Sequence, residues 1–201
     1  TVPTTTTPFK MHPSCHERRT FEFDIGCSLG GRYSWKAWGR VGDDCLELAQ
    51  LPGAVTVACR KVYSSIKDSI YANYLGTLKR MGAQVGQHFA ARVSPLEIVF
   101  RNGLRVIFKG MDDPRKTKGL ERASKAILEE ADEFDLIDFN TIDLSMRGTE
   151  RKHRMELMFN PFPITPGQLH WLQSEFLQHE YGLHENTIID DPDRGKICIT
   201  W

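Results

Sequence analysis

No apolar stretch in this 201-residue chain approaches the roughly 20 residues needed to cross a bilayer. No signal-peptide pattern opens it, so a cytosolic protein is expected. Net charge is also missing, because 26 Lys and Arg are matched by 26 Asp and Glu. Bulk charge therefore announces no nucleic-acid partner, and any basic surface must be local. The five cysteines, Cys15, Cys27, Cys45, Cys59 and Cys198, are odd in number, scattered and never C-x-x-C. Reduced thiols, two or three of them in buried strands, are expected. His12, Cys15 and His16 cluster without zinc-site spacing, and read as a polar N-terminal segment. There is no internal repeat and no heptad run. What is present is 40% hydrophobic and 26% charged residues, ordinary for a globular protein; this length suits one large domain or a domain and a half, ample for a buried core.

A complete phosphate-binding loop is the next absence. The pattern G-x-x-x-x-G-K-[ST] needs a Gly before the Lys and a hydroxyl after it. Gly30-Gly31-Arg32-Tyr33-Ser34-Trp35-Lys36-Ala37 has the first Gly, Gly30, and the lysine, Lys36. Trp35 stands in place of the second Gly, and Ala37 in place of the hydroxyl. Two readings fit the octapeptide alone: a degenerate phosphate loop, or a Gly-Gly turn beside an exposed lysine.

Residues 1–20 are Thr-rich and aperiodic and read as an arm. Phe21, Phe23 and Ile25, extended by Cys27 and Leu29, alternate as a strand. Lys36 to Leu51 has helical spacing, with Gly39 and Gly42 weakening its start. Ala54–Cys59 reads as a central parallel strand, and Ser64–Met81 as a helix closed by Gly82. Leu96–Phe100 and Arg105–Lys109 flank Asn102-Gly103 as a hairpin. Ala126-Ile-Leu128 is a short strand running into Glu129-Glu130. Phe134–Met146 is mostly helix, and Met155–Phe159 is a strand stopped by Asn160-Pro161. Pro166 opens a helix through His179. Thr187–Ile189 and Lys196–Thr200 flank a turn at 190–195. Short buried strands alternating with helices give an α/β domain with a mainly parallel sheet.

Ligands of such sheets bind at the carboxyl ends of strands, which gathers three candidates. The loop at 30–37 would hold phosphates on backbone N–H groups, with Lys36 reaching the terminal ones. Glu129 and Glu130 end an apolar strand, as do the acids that hold Mg²⁺ and activate water in P-loop NTPases. Asn160 could sense the γ-phosphate. Simpler readings are a helix N-terminus welcoming carboxylates and an Asn-Pro that merely ends a strand.

Taken in order, these segments resemble the N-terminal ATPase domain of the tailed-phage terminase large subunit. The resemblance rests on Gly30-Gly31-Arg32, Cys59-Arg60-Lys61 with Ser64–Ser69, Val106–Pro114, Ile127–Phe134, Leu144–Gly148, Met158–Pro161 and His170–Leu172, and covers residues 25–200. It implies a P-loop NTPase fold of the ASCE, RecA-like type, a parallel sheet flanked by helices with an inserted hairpin. It also implies ATP and Mg²⁺. The implied partners are double-stranded DNA, a portal protein, a small terminase subunit and further copies in a ring on the portal, in the host cytoplasm and with no membrane. Lys36 maps to the Walker A lysine, Glu129 to the metal-holding acid, Glu130 to the water-activating acid and Asn160 to the coupling position. Arg32 maps to an arginine acting on the γ-phosphate in cis. Arg101, Arg115 and Arg147 are open candidates for a trans-acting one.

Trp35 and Ala37 depart from the family pattern, in backbone approach to phosphate and in the missing Mg²⁺ hydroxyl. An alternative is therefore a catalytically weakened scaffold for assembly or DNA binding, and another is a different ASCE translocase. The family's second half is a metal-dependent nuclease, and the sequence ends at Trp201 before it. Asp190, Asp191 and Asp193 read as a turn. Basic residues crowd 101–125, either as a DNA-facing or subunit-facing patch or as solvated loop faces. The expected organisation is an arm over 1–20 and a P-loop ATPase domain over 21–201.

Overall fold

The computed structural model describes residues 22–31, 36–48, 53–112, 120–146, 153–161, 169–177, 186–192 and 194–200. The N-terminal arm, Arg32–Trp35 and the expected helix start at Pro166 lie outside these. Nine strands form one sheet: β1 (Ile25–Leu29), β2 (Val55–Arg60), β3 (Phe89–Val93), β4 (Leu96–Phe100), β5 (Arg105–Gly110), β6 (Lys125–Glu129), β7 (Arg154–Phe159), β8 (Asn186–Asp191) and β9 (Gly195–Thr200). The helices are α1 (Lys36–Leu48), α2 (Ile70–Arg80), α3 (Leu136–Met146) and α4 (Trp171–Phe176), with short 3₁₀ turns at Tyr63–Ser65 and Ala131–Glu133.

The strand order is β3-β4-β5-β2-β6-β7-β1-β9-β8. From β5 to β9 every pairing is parallel. Antiparallel hairpins close both edges. The central strands are apolar on both faces, which covered parallel strands require. Alternation along them sorts the core into two layers. Val57, Ala126, Leu128, Met155 and Leu157 pack with Phe139, Ile142, Leu172 and Phe176 of α3 and α4. Ala58, Ile127 and Met158 pack with Val41, Cys45, Ile70, Tyr74 and Leu78 of α1 and α2. Cys27, Cys45, Cys59 and Cys198 are buried.

The hairpin at Asn102-Gly103 forms as read, with Gly103 at φ 83°. Two expectations change. The helix expected over Ser64–Met81 begins only at Ile70, because 63–69 turn over Gly110 and the Ser69 hydroxyl donates back to the Ser65 carbonyl at 2.8 Å. A Cβ on Gly110 would lie 2.6 Å from Tyr63 Cβ, so this crossing needs a glycine. Strand β3 was not anticipated: Phe-Ala-Ala-Arg-Val has little apolar alternation and is held as an edge by pairing with β4. Gly82 ends α2 as expected, at φ 81°, with the Ala83 N–H on the Leu78 carbonyl at 2.9 Å.

Candidate nucleotide site

Register sets the site. Leu29 of β1 lies beside Phe159 of β7, and Glu129 of β6 beside Met158. Gly30, Asn160 and Glu130 therefore leave the sheet at nearly one level, at the carboxyl ends of three adjacent parallel strands. The Gly30 N–H reaches the Phe159 carbonyl at 3.4 Å.

Lys36 opens α1 and folds back over this edge. Its ammonium donates to the Gly30 carbonyl at 2.6 Å, to Asn160 Oδ1 at 2.6 Å and to the Gly31 carbonyl at 3.4 Å. Burial pulls Lys36 below its ordinary pKa, while Asp132 and Glu129 hold it up. Lys36 and Asn160, 124 positions apart in sequence, thus share one point in space. Gly30, Gly31 and Ala37 flank it. Arg32, Tyr33, Ser34 and Trp35 lie outside the described residues.

Glu129 is the last residue of β6 and is buried. Asn73 of α2 donates to its Oε1 at 3.2 Å, and Arg60 stands 3.6 Å from its Oε2. Burial raises its carboxyl above the usual range, against the Ser69 hydrogen bond, the Arg60 charge, Asn73 and the Ile70 amide. Oε2 is buried without a hydrogen-bond partner. That oxygen faces the Arg60 cation, and Glu129 offers a carboxylate of the kind a hydrated Mg²⁺ takes, one or two of them with several waters kept.

Glu130 has φ 53° and ψ 56°, the one positive φ among the described non-glycine residues. That conformation costs roughly 1–2 kcal/mol without glycine and is characteristic of functional turns. Its carboxylate is ion-paired with Arg60, the last residue of β2, which also lies 3.5 Å from Glu133. Neither Arg60, Ser69 nor Asn73 carries a role that the sequence assigns. The available signal is Arg60 at a strand's carboxyl end, the position already used to select the acids.

Elsewhere the expected features separate. Arg105 is committed to buried Glu97, which also holds Arg92 at 2.6 Å. Arg101 is exposed, whereas Arg115, Lys116, Lys118 and Arg147 lie outside the described residues. Asp191 caps its own hairpin turn, taking the Arg194 N–H at 2.8 Å. No metal-holding cluster of three or more His, Cys, Asp or Glu occurs among the described residues. None of their helices is long and apolar enough to cross a membrane.

The strand bearing Asn160 lies between the strand entering the Lys36 loop and the strand bearing the paired acids. That order, with the lysine folded over the strand ends, is the P-loop NTPase fold of the ASCE type. The family is narrower still. A sequence model described as phage terminase large subunit matches residues 24–200, and the chain belongs to that family. It is 29% identical over 134 residues to the PBSX phage terminase large subunit of Bacillus subtilis (strain 168), spanning 67% of this chain and 29% of that protein. The large terminase ATPase domain of Thermus phage P74-26 superposes with TM-score 0.68 at 16% identity, over 88% of this chain and 74% of that one. The large terminase of a thermophilic bacteriophage, solved in complex with ADP, superposes with TM-score 0.58 at 16% identity, over 83% and 38% of the two chains. The chain thus spans less than a third of its PBSX relative.

Proposed function

We propose that this chain is the ATP-hydrolysing module of a viral DNA-packaging motor. It couples hydrolysis to the movement of double-stranded DNA into a procapsid. Residues 21–201 form the ATPase domain and 1–20 an arm. The observation that carries this reading is the meeting of Lys36, Asn160 and the Glu129–Glu130 pair at one sheet edge. The large terminases of Thermus phage P74-26 and of the thermophilic bacteriophage share the fold, and the latter has been solved with ADP.

The residues divide the work. Backbone of Gly30, Gly31, Arg32, Tyr33, Ser34, Trp35 and Ala37 cradles the phosphates at the start of α1. Lys36 exchanges its carbonyl and Asn160 contacts for phosphate oxygens, and Asn160 registers the change. Arg32 stabilises charge on the γ-phosphate. Glu129 would hold the hydrated metal. Bound MgATP supplies the transferable phosphoryl group and its leaving oxygen. Glu130 orients the attacking water and takes its proton. The Arg60 ion pair occupies that carboxylate here, so Glu130 acts only after Arg60 lets go. The partners are double-stranded DNA, the portal protein, the small terminase subunit and further copies in a ring, in the host cytoplasm and transiently on the procapsid.

In full-length protein assembled with portal and DNA, Glu130→Gln should lower ATP hydrolysis by a factor of about a hundred or more. A rate equal to the parent's would remove Glu130 from the mechanism. Ala37 favours one second reading, a P-loop scaffold without turnover. Calorimetry with a non-hydrolysable ATP analogue and Mg²⁺ separates the two: no binding at millimolar nucleotide supports the scaffold.

A further inference from the structure

The turn that carries Glu130 is gripped from outside by two side chains with no assigned role. His170 Nε2 meets the Asp132 carbonyl at 3.1 Å, and the Trp171 indole N–H donates to the Phe134 carbonyl at 2.6 Å. One acceptor, Asp132, lies inside the 3₁₀ turn that follows Glu130 and the other, Phe134, directly after it; the turn's own bonds are Glu133 N–H to Glu130 carbonyl at 2.9 Å and Phe134 N–H to Ala131 carbonyl at 3.3 Å.

Both grips are themselves fixed. His170 Nδ1 accepts the Leu172 N–H at 3.2 Å as the N-cap of α4, while Gln173 reaches back to the His170 N–H at 3.0 Å. A ring that accepts at Nδ1 donates at Nε2 in its neutral form, so a single tautomer satisfies cap and turn together. Trp171 packs against Phe139 at 5.5 Å, tilted, and edge-on against Phe176 at 6.1 Å between centroids, inside the layer that covers this side of the sheet. Asn160, which meets Lys36, lies earlier on the same stretch of chain that leaves β7. Asn160 thus meets the lysine, while His170 and Trp171 meet the acid turn.

We infer that His170 and Trp171 are positioning residues for Glu130: by taking the carbonyls of Asp132 and Phe134, they hold the left-handed turn that aims its carboxylate. The inference rests on the ATPase reading above. A left-handed non-glycine residue persists only where its surroundings over-determine it. With the two outer bonds removed, the turn relaxes and the carboxylate loses its aim, while the nucleotide-binding groups on β1 and α1 stay in place.

Trp171→Phe keeps the ring packing and removes only the N–H. His170→Asn keeps a capping acceptor but falls short of the Asp132 carbonyl. In full-length protein with procapsids and DNA, each variant should lower kcat about fivefold or more, the worth of one lost hydrogen bond. KM for ATP and the affinity for a non-hydrolysable analogue should stay within about twofold, the signature of an interaction made in the transition state. Hydrogen exchange at the Glu133 and Phe134 amides should speed up in both. Parent kcat with only a lower melting temperature would overturn the inference and leave the pair a structural clamp. An inactive parent would instead remove the ATPase reading. Exchange at Glu133 and Phe134 would then still decide the matter, since unchanged rates mean the pair does not hold the turn.

Discussion

Replacing Asp44 by Asn tests how the helix behind the Lys36 loop is fixed to the sheet. Asp44 lies on α1 and is 0% exposed. Its carboxylate accepts from Tyr74 Oη of α2 at 2.6 Å and from Thr56 Oγ1 of β2 at 3.0 Å, and stands 3.3 Å from Lys125 Nζ of β6. Burial, then the Asp44 charge, pushes the Tyr74 hydroxyl well above its ordinary pKa, so Tyr74 remains a donor. Asn keeps the shape and loses the charge. Its NH₂ must then face a hydroxyl, and buried Lys125 keeps only Glu47, at 2.9 Å and partly exposed. Removing one partner of a buried pair costs roughly 3–5 kcal/mol. Because Glu47 survives, the lower end, about 3 kcal/mol, is expected. For a chain of this size each kcal/mol moves the melting temperature by about 2–4 °C, giving a fall of about 6–12 °C. Thermal unfolding followed by circular dichroism reads it. In a double-mutant cycle with Tyr74→Phe, a coupling of about 1 kcal/mol is expected. A change within about 0.5 kcal/mol for Asp44→Asn, the range of an ordinary surface substitution, would refute the account.

Burial raises the Glu97 carboxyl, but hydrogen bonds from Arg105 and Arg92 win and hold it low. Its stabilisation is therefore present above the unfolded pKa and lost as pH falls through the folded one. Glu97→Gln should cost about 1 kcal/mol at neutral pH, since both arginines are half exposed, and the two urea curves should converge in acid; a constant gap would sink this. A Cβ on Gly110 would meet Tyr63 backbone at 2.7 Å, so Gly110→Ala should destabilise by about 1–3 kcal/mol; an unchanged melting temperature would contradict the close crossing. Arg60→Met removes a cation that lowers the already raised Glu129 carboxyl. If Glu129 holds the metal as proposed, metal-dependent nucleotide binding should then fail at a higher pH than in the parent. Matching pH profiles would separate Arg60 from Glu129.

Sequence patterns locate the site better than they explain it. The strands ending at Leu29, Glu129 and Phe159 are legible because short apolar runs stop at Gly30-Gly31, Glu129-Glu130 and Asn160-Pro161. Partners from other elements are not. Arg60 looks from sequence like any cation after a strand; only the adjacency of β2 and β6 carries it to Glu130. Pro166, a common first helical residue, is where the sequence points for the start of α4. The described helix starts at Trp171, capped by His170 with Gln173. A histidine is an unusual cap, so the His-x-x-Gln spacing gives no sequence signal. Helix α2 starts late for a tertiary reason, the crossing over Gly110.

The different work proposed for the adjacent acids Glu129 and Glu130 has a counterpart in the backbone. Along β6, Ile127 and Glu129 share a face, which places Glu129 with Asn73 on the α1–α2 side. Strict alternation would send Glu130 to the opposite side, among the apolar residues around Phe134 and Phe139. The left-handed backbone at φ 53° breaks the alternation and turns the carboxylate to Arg60. This backbone can be tested apart from the carboxylate. Glu130→Ala and Glu130→Gly both delete the ion pair and differ only in Cβ. In ordinary strand or helix interiors Gly is the less stable by roughly 0.5–1 kcal/mol. At a left-handed position the order inverts, because Ala retains a steric penalty of about 1–2 kcal/mol that Gly lacks. Glu130→Gly should therefore be the more stable by about 1 kcal/mol in urea unfolding, with hydrolysis lost in both. Ala equal to or more stable than Gly would mean that no left-handed residue follows β6, and the separation of roles between the two acids would need another cause.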